Sequence, residues 1–149
     1  KRLHQMEARV KRAGVSIVRQ MAGDEMRLSE RFQLVVSDVP CSGSGRWRRA
    51  PETKWHLTPK GLDELVTLQR KILAQSAGFV APGGRLVYIT CSIIARENEN
   101  QIAEFLNMHS EFATDETAKF GNQCGVIRLD PHNTDTDGMF CAIMRRTGP

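Results

Sequence analysis

Leu34-Val35-Val36-Ser37-Asp38-Val39-Pro40-Cys41-Ser42-Gly43-Ser44-Gly45-Arg46 is the strongest architectural signal in this chain of 149 residues. An apolar run passes into an aspartate, a proline, a cysteine and two glycines, the pattern of a buried strand ending in a loop that presents side chains. In an open α/β sheet, ligands bind beyond the carboxyl ends of the strands, so this loop is active-site material. Pro40 stiffens the backbone ahead of Cys41 and donates no hydrogen bond, while Gly43 and Gly45 admit backbone shapes closed to other residues. Fifty positions after Cys41 the pattern returns as Leu86-Val87-Tyr88-Ile89-Thr90-Cys91-Ser92. Two parallel strands would carry both cysteines to the same rim.

The chain before the first of these strands reads as a helix over about Lys1 to Ala13, stopped by Gly14, and then a short strand from Val15 to Met21. Phe32 to Val36 is the next strand. Residues 46–57 lack periodicity and read as a loop facing the substrate. Thr58-Pro59 opens a helix, with threonine as cap and proline in the first turn. Its apolar face runs through Leu62, Leu65, Val66, Gln69, Ile72, Leu73, Ser76 and Val80. Ala81-Pro82-Gly83-Gly84 is expected to turn the chain into a strand over Arg85 to Thr90. A second amphipathic helix is expected from Arg96 to Met108, with Glu97 and Glu99 in its first turn, where negative charge suits the helix dipole. Val126 to Leu129 and Met139 to Met144 read as further strands around a polar segment. Asp135-Thr136-Asp137-Gly138 lacks the twelve-residue ligand pattern of a calcium loop.

Composition allows one domain with an ordinary core, in the range of soluble globular proteins, with 40% hydrophobic and 26% charged residues. No apolar run approaches the roughly 20 residues of a membrane helix, and no signal peptide is visible, so a cytoplasmic protein with reduced thiols is expected. Cys41, Cys91, Cys124 and Cys141 form no CxxC pair, which argues against zinc. The net charge is only +4, but basic residues cluster. Arg46, Arg48, Arg49 and Lys54 follow the first cysteine loop directly, interleaved with Trp47 and Trp55, and suit RNA phosphates and bases. The competing reading is a solvated basic face.

With Thr90-Cys91-Ser92 and Glu97-Asn98-Glu99, the stretch Asp38 to Gly45 resembles the Sun/Nop family of S-adenosylmethionine-dependent RNA cytosine-5 methyltransferases. The match is to the bacterial RsmB type, which modifies small-subunit ribosomal RNA, and it runs from Arg2-Leu3 to Arg145-Arg146. The resemblance implies an α/β fold: residues 1–149 as the carboxy-terminal part of one Rossmann-like methyltransferase domain, with an antiparallel strand at its end. It implies Cys91 as the nucleophile that adds to carbon 6 of cytosine, Cys41 as the group that assists release, and Asp38 on the cytosine edge. Asp24, Asp38 and Pro40 would contact S-adenosylmethionine. Cys124 and Cys141, outside such loops, would be small buried hydrophobes.

By the family's order, a glycine-rich cofactor loop, an acidic ribose contact and two strands would precede Lys1. The expectation is therefore a fragment that is inactive alone, binds cofactor weakly or not at all, and either completes its sheet through another chain or self-associates along open edges. Two other functions compete. A non-catalytic RNA-binding or ribosome-assembly factor would have no need of paired thiols. A DNA methyltransferase would place the nucleophile in the Pro-Cys loop, at Cys41, but Ser42-Gly43-Ser44-Gly45 and Thr90-Cys91-Ser92 favour the RNA type.

Overall fold

A computed structural model describes residues 2–18, 21 and 30–148. The chain divides into two units, residues 1–30 and 31–149. In the first, helix α1 (Arg2–Arg12) ends at Gly14, whose φ of 64° lies in the left-handed region that glycine occupies without strain. The expected strand from Val15 to Met21 is not formed over residues 15–18, and positions 19 and 20 lie outside the described residues. A strand needs a ladder partner for its backbone, and residues 15–18 have none among the described residues. Ile17 is 93% exposed, so the alternating pattern there has nothing to be buried against. Asp24 also lies outside the described residues.

The second unit is built on strands β1 (Phe32–Asp38) and β2 (Val80–Thr90), which run parallel from Leu34 opposite Arg85 to Asp38 opposite Ile89. Parallel strands need a long crossover, and helix α2 (Pro59–Ala77) supplies it. Thr58 caps α2 as expected, its hydroxyl accepting from the Gly61 amide at 3.0 Å. The helix stops at Gly78, so Val80 belongs to β2 and not to the helix face. The expected turn at residues 81–84 is instead a bulge within β2. Pairing begins with Phe32 opposite Val80 and slips before Leu34 meets Arg85. The close approach of β1 requires glycine at 84, where a Cβ would sit 3.0 Å from the Phe32 carbonyl oxygen.

Three short strands follow β2 in the chain. They are β3 (Phe112–Thr114) and the hairpin pair β4 (Lys119–Phe120) and β5 (Gln123–Cys124), none of them anticipated. Strand β6 (Val126–Leu129) and strand β7 (Met139–Arg146) match the expectation, the latter reaching two residues further. β7 lies antiparallel against β2, and its far edge is shared end to end by β6 and β3. Helix α3 (Glu99–Met108) begins later than expected, after a 3-10 turn at Ala95–Glu97.

Alternation along the strands decides the core. Leu86 and Tyr88 of β2 and Phe140, Ala142 and Met144 of β7 pack with Leu73 and Ala77 of α2 and with Ile102 and Phe105 of α3. Each of the larger aliphatic and phenylalanine side chains among them contributes about 1.5–3 kcal/mol. The other face of β1 carries Leu34 and Val36, both more than half exposed. Among the described residues β1 has a neighbour on one side only. No helix among them is long and apolar enough to cross a membrane.

Past β3, the buried Asp115 accepts hydrogen bonds from Arg85 Nε at 2.6 Å, from the Thr117 amide at 3.1 Å and from the Thr117 hydroxyl. Those of Thr117, then Arg85, hold its carboxyl down to about 2, below the ordinary 3.8. A depressed carboxylate stabilises the fold above its unfolded pKa and loses that contribution as pH falls through the folded value. Asp115→Asn should therefore cost roughly 2 kcal/mol at neutral pH. In urea melts, the gap to the unmodified chain should begin to close below about pH 4 and be mostly closed by about pH 2.

Candidate active site

The parallel register delivers the two cysteine loops to one end of the sheet. Cys41 and Cys91 lie with their sulfurs 3.2 Å apart, both half-buried. The loops are locked by backbone as well: the Val39 amide donates to the Ile89 carbonyl at 3.1 Å and the Gly45 amide to the Cys91 carbonyl at 3.0 Å. Burial first, and the contact with Cys91 second, push the Cys41 thiol above its ordinary value of 9.0. Cys41 is thus held as a neutral thiol at physiological pH.

The sequence marked Glu97 as a helix-dipole residue, and the structure shows otherwise. Glu97 is fully buried in the turn before α3. Its Oε1 accepts from the Ser42 amide at 2.8 Å and from Gln69 Nε2 at 2.9 Å. Its Oε2 accepts from the Ser42 hydroxyl at 2.6 Å and the Ser92 hydroxyl at 2.5 Å. Each cysteine is followed by a serine, and both serines bind the same carboxylate. Gln69, read in the sequence as part of an apolar helix face, is fully buried and also donates to the Pro40 carbonyl at 2.9 Å. Neighbouring bonds complete the mesh: Thr90 to Asn98 at 2.6 Å, Asn98 to the Ser92 carbonyl at 2.9 Å, and Ser44 to Ser92 at 2.9 Å. A glutamine in the middle of an apolar stripe was the one sequence signal of this network.

Gly45 meets the turn before β7 back to back. The Gly138 amide donates to the Gly45 carbonyl at 2.8 Å, and a Cβ on Gly45 would sit 2.0 Å from the Gly138 oxygen. The same turn faces the basic cluster: Arg48 pairs with Asp135 at 3.3 Å, and Arg49 pairs with Asp137. Arg46 is exposed and folds over Gly43, where a Cβ would lie 3.2 Å from its guanidinium. Residues 46–57 are not a featureless loop but hold a 3-10 turn over Pro51–His56. There Lys54 Nζ stands 5.7 Å from the centre of the Trp47 ring, while Trp55 is 82% exposed. Cys124 and Cys141 are half-buried, short of the full burial expected, and Cys141 lies in β7 opposite Ile89.

Asp38 ends β1 exposed, and its carboxylate has no hydrogen-bond partner among the described residues. Pro40 is exposed two residues on. An open carboxylate at the strand end has the chemistry to accept hydrogen bonds from an amine-bearing ligand.

A sheet led by a parallel pair joined through a helical crossover, with the loops at its rim held together, has the architecture of a Rossmann-like methyltransferase domain. Residues 1–145 match the family described as 16S rRNA methyltransferase RsmB/F, and the chain belongs to that family. It is 39% identical over 137 residues to ribosomal RNA small subunit methyltransferase B of Enterobacter sp. strain 638, covering 92% of this chain and 30% of that protein. It is 32% identical over 157 residues to a probable ribosomal RNA small subunit methyltransferase B of a Synechocystis species, covering 97% and 35%. The chain thus spans about a third of these relatives. Among solved structures, PH0851 superposes with a TM-score of 0.83 at 36% identity, covering 96% of this chain and 34% of that one. NSun6 from Pyrococcus horikoshii, solved with SFG, gives 0.82 at 25% identity, covering 99% and 39%.

The raised Cys41 thiol has a direct readout. Alkylation by iodoacetamide, followed peptide by peptide, should be slower at Cys41 than at an ordinary thiol at pH 7–8. Its rate should keep climbing beyond about pH 10, where an ordinary thiol is nearing its plateau. A plateau at or below about pH 10 would contradict the assignment.

Proposed function

We propose that this chain forms part of an enzyme that transfers a methyl group to carbon 5 of a cytosine in ribosomal RNA through a covalent cysteine adduct. The observation that carries the reading is the 3.2 Å contact of Cys41 and Cys91 at the carboxyl end of a parallel strand pair. Family membership and the names of the curated relatives support an rRNA substrate. SFG, the ligand of the NSun6 structure, is an analogue of S-adenosylmethionine and supports that methyl donor.

Carbon 5 of cytosine is a poor nucleophile until a thiolate adds to carbon 6 and turns the ring into an enamine. Cys91 makes that bond, and Asp38 hydrogen-bonds the cytosine edge and favours protonation of the ring nitrogen as charge develops. S-adenosylmethionine supplies the methyl group, held by Asp38 and Pro40, with Asp24 as a further contact. Release requires the carbon 5 proton to leave as the bond between carbon 6 and sulfur breaks. Cys41, a neutral thiol beside Cys91, can hand its proton to the departing sulfur and take the carbon 5 proton in its place. Both cysteines then end as thiols, and the ring nitrogen returns its proton to solvent. Arg46, Arg48, Arg49 and Lys54 bind the RNA backbone, and an unstacked or looped cytosine reaches the thiols.

The test uses the intact protein with S-adenosylmethionine and ribosomal RNA. Cys41→Ala should accumulate a covalent RNA adduct on denaturing gels and lose turnover by a factor of about 100 or more, in line with removal of an acid–base group. The adduct should vanish in the double variant with Cys91→Ala. An adduct only with Cys91→Ala would reverse the two roles, and none in either would leave a non-catalytic RNA binder.

A further inference from the structure

Neither serine after the cysteines nor Glu97 takes part in the chemistry above, yet all three are held in one dense hydrogen-bond network. The Glu97 carboxyl is fully buried, and each of its two oxygens accepts two hydrogen bonds. Three of the four donors belong to Ser42 and Ser92, the residues directly bonded to Cys41 and Cys91. The fourth, Gln69, also holds the Pro40 carbonyl on the other side of Cys41. The backbone of the Glu97 turn is itself anchored, because the buried Tyr88 hydroxyl donates to the Glu97 carbonyl at 2.7 Å. One carboxylate therefore bridges two loops that the chain separates by fifty residues, and it does so at the residue next to each sulfur.

From this we infer that Glu97 is a positioning residue that sets the approach of the two thiols. An ionised carboxylate is acceptor-only, so it binds four donors without conflict. An amide of the same size turns the oxygen that accepts from the Ser42 and Ser92 hydroxyls into an N–H donor, so both hydroxyls must reverse or lose their bonds, and the charge that strengthens all four is gone. With the bridge weakened, the loops keep their backbone locks but lose the side-chain constraint at the residue next to each sulfur, and the proton exchange between Cys41 and Cys91 at release slows. The catalytic role rests on the methyl-transfer reading given above, whereas the thiol contact that Glu97 controls does not.

The contact is read by disulfide closure. Diamide takes up the two protons and two electrons released as the two sulfurs bond, and the rate reports how often they meet. In the intact protein, well below its melting temperature, Glu97→Gln should close the Cys41–Cys91 disulfide at least about tenfold more slowly than the unmodified protein. Single alkylation of each cysteine should still proceed. Methyl transfer to ribosomal RNA should fall in parallel, with kcat reduced and KM for RNA little changed. A folded Glu97→Gln that closes the disulfide at the unmodified rate overturns the inference. So does slowed closure with unchanged kcat, which would leave Glu97 a structural bridge only. If the unmodified protein shows no methyl transfer, the functional reading fails and the closure rates alone decide whether Glu97 sets the contact. Should Glu97→Gln not fold, Ser42→Ala combined with Ser92→Ala removes two of the four donors, and the same comparison decides.

Discussion

A buried carboxylate is costly unless hydrogen bonds replace the water it has lost, and the Glu97 carboxyl has four of them. That requirement ties together parts of the fold that otherwise meet only through apolar packing. Ser42 must leave β1 at the right angle, Ser92 must leave β2 likewise, and Gln69 must face inward from α2. The hydrogen bond from the Ser37 hydroxyl to Ser76 at 2.7 Å fixes β1 against the same helix. Gln101 of α3 joins in, donating to the Val66 carbonyl at 2.6 Å and to Gln69 at 3.3 Å. The polar layer under the cysteine loops thus links both helices and both strands.

The apolar core sets the stage for that layer without specifying it. Parallel pairing of β1 with β2 aligns Asp38 with Ile89 and so brings the ends of the two strands level. β7 then closes β2 from the other side, and the turn before it packs Gly138 against Gly45. The loop that carries Cys41 is therefore held on three sides: by the Glu97 bridge, by the Cys91 carbonyl and by the Gly138 turn. Such over-determination would serve the proposed two-thiol reaction, since positional errors of an ångström are costly in catalysis.

Much of this was legible in the sequence, for identifiable reasons. The apolar runs ending at Asp38 and Thr90, the Thr58-Pro59 cap and the final strand all follow from short-range patterns. The paired cysteines were found by their equivalent positions at strand ends. Residues 15–18 misled because their alternation promised a strand, yet a strand exists only where a partner lies beside it. The residues at 81–84 look like a turn by composition, but Gly84 serves close approach within a bulge. Glu97 was misread because its acidic character near a helix start has a sufficient local explanation, and nothing local says that Ser42 and Ser92 will reach it. Pairing of Arg48 and Arg49 with Asp135 and Asp137 is equally invisible to a linear reading.

The central claim is that Cys91 attacks the base while Cys41 stands beside it. RNA carrying 5-fluorocytosine tests it most directly, because fluorine at carbon 5 cannot leave as a proton and the adduct is trapped on the unmodified protein. Digestion and mass spectrometry of the trapped complex should place the nucleotide, bearing the transferred methyl group, on the peptide that contains Cys91. A nucleotide on the Cys41 peptide, or no trapped complex with RNA that the protein otherwise methylates, would contradict the account.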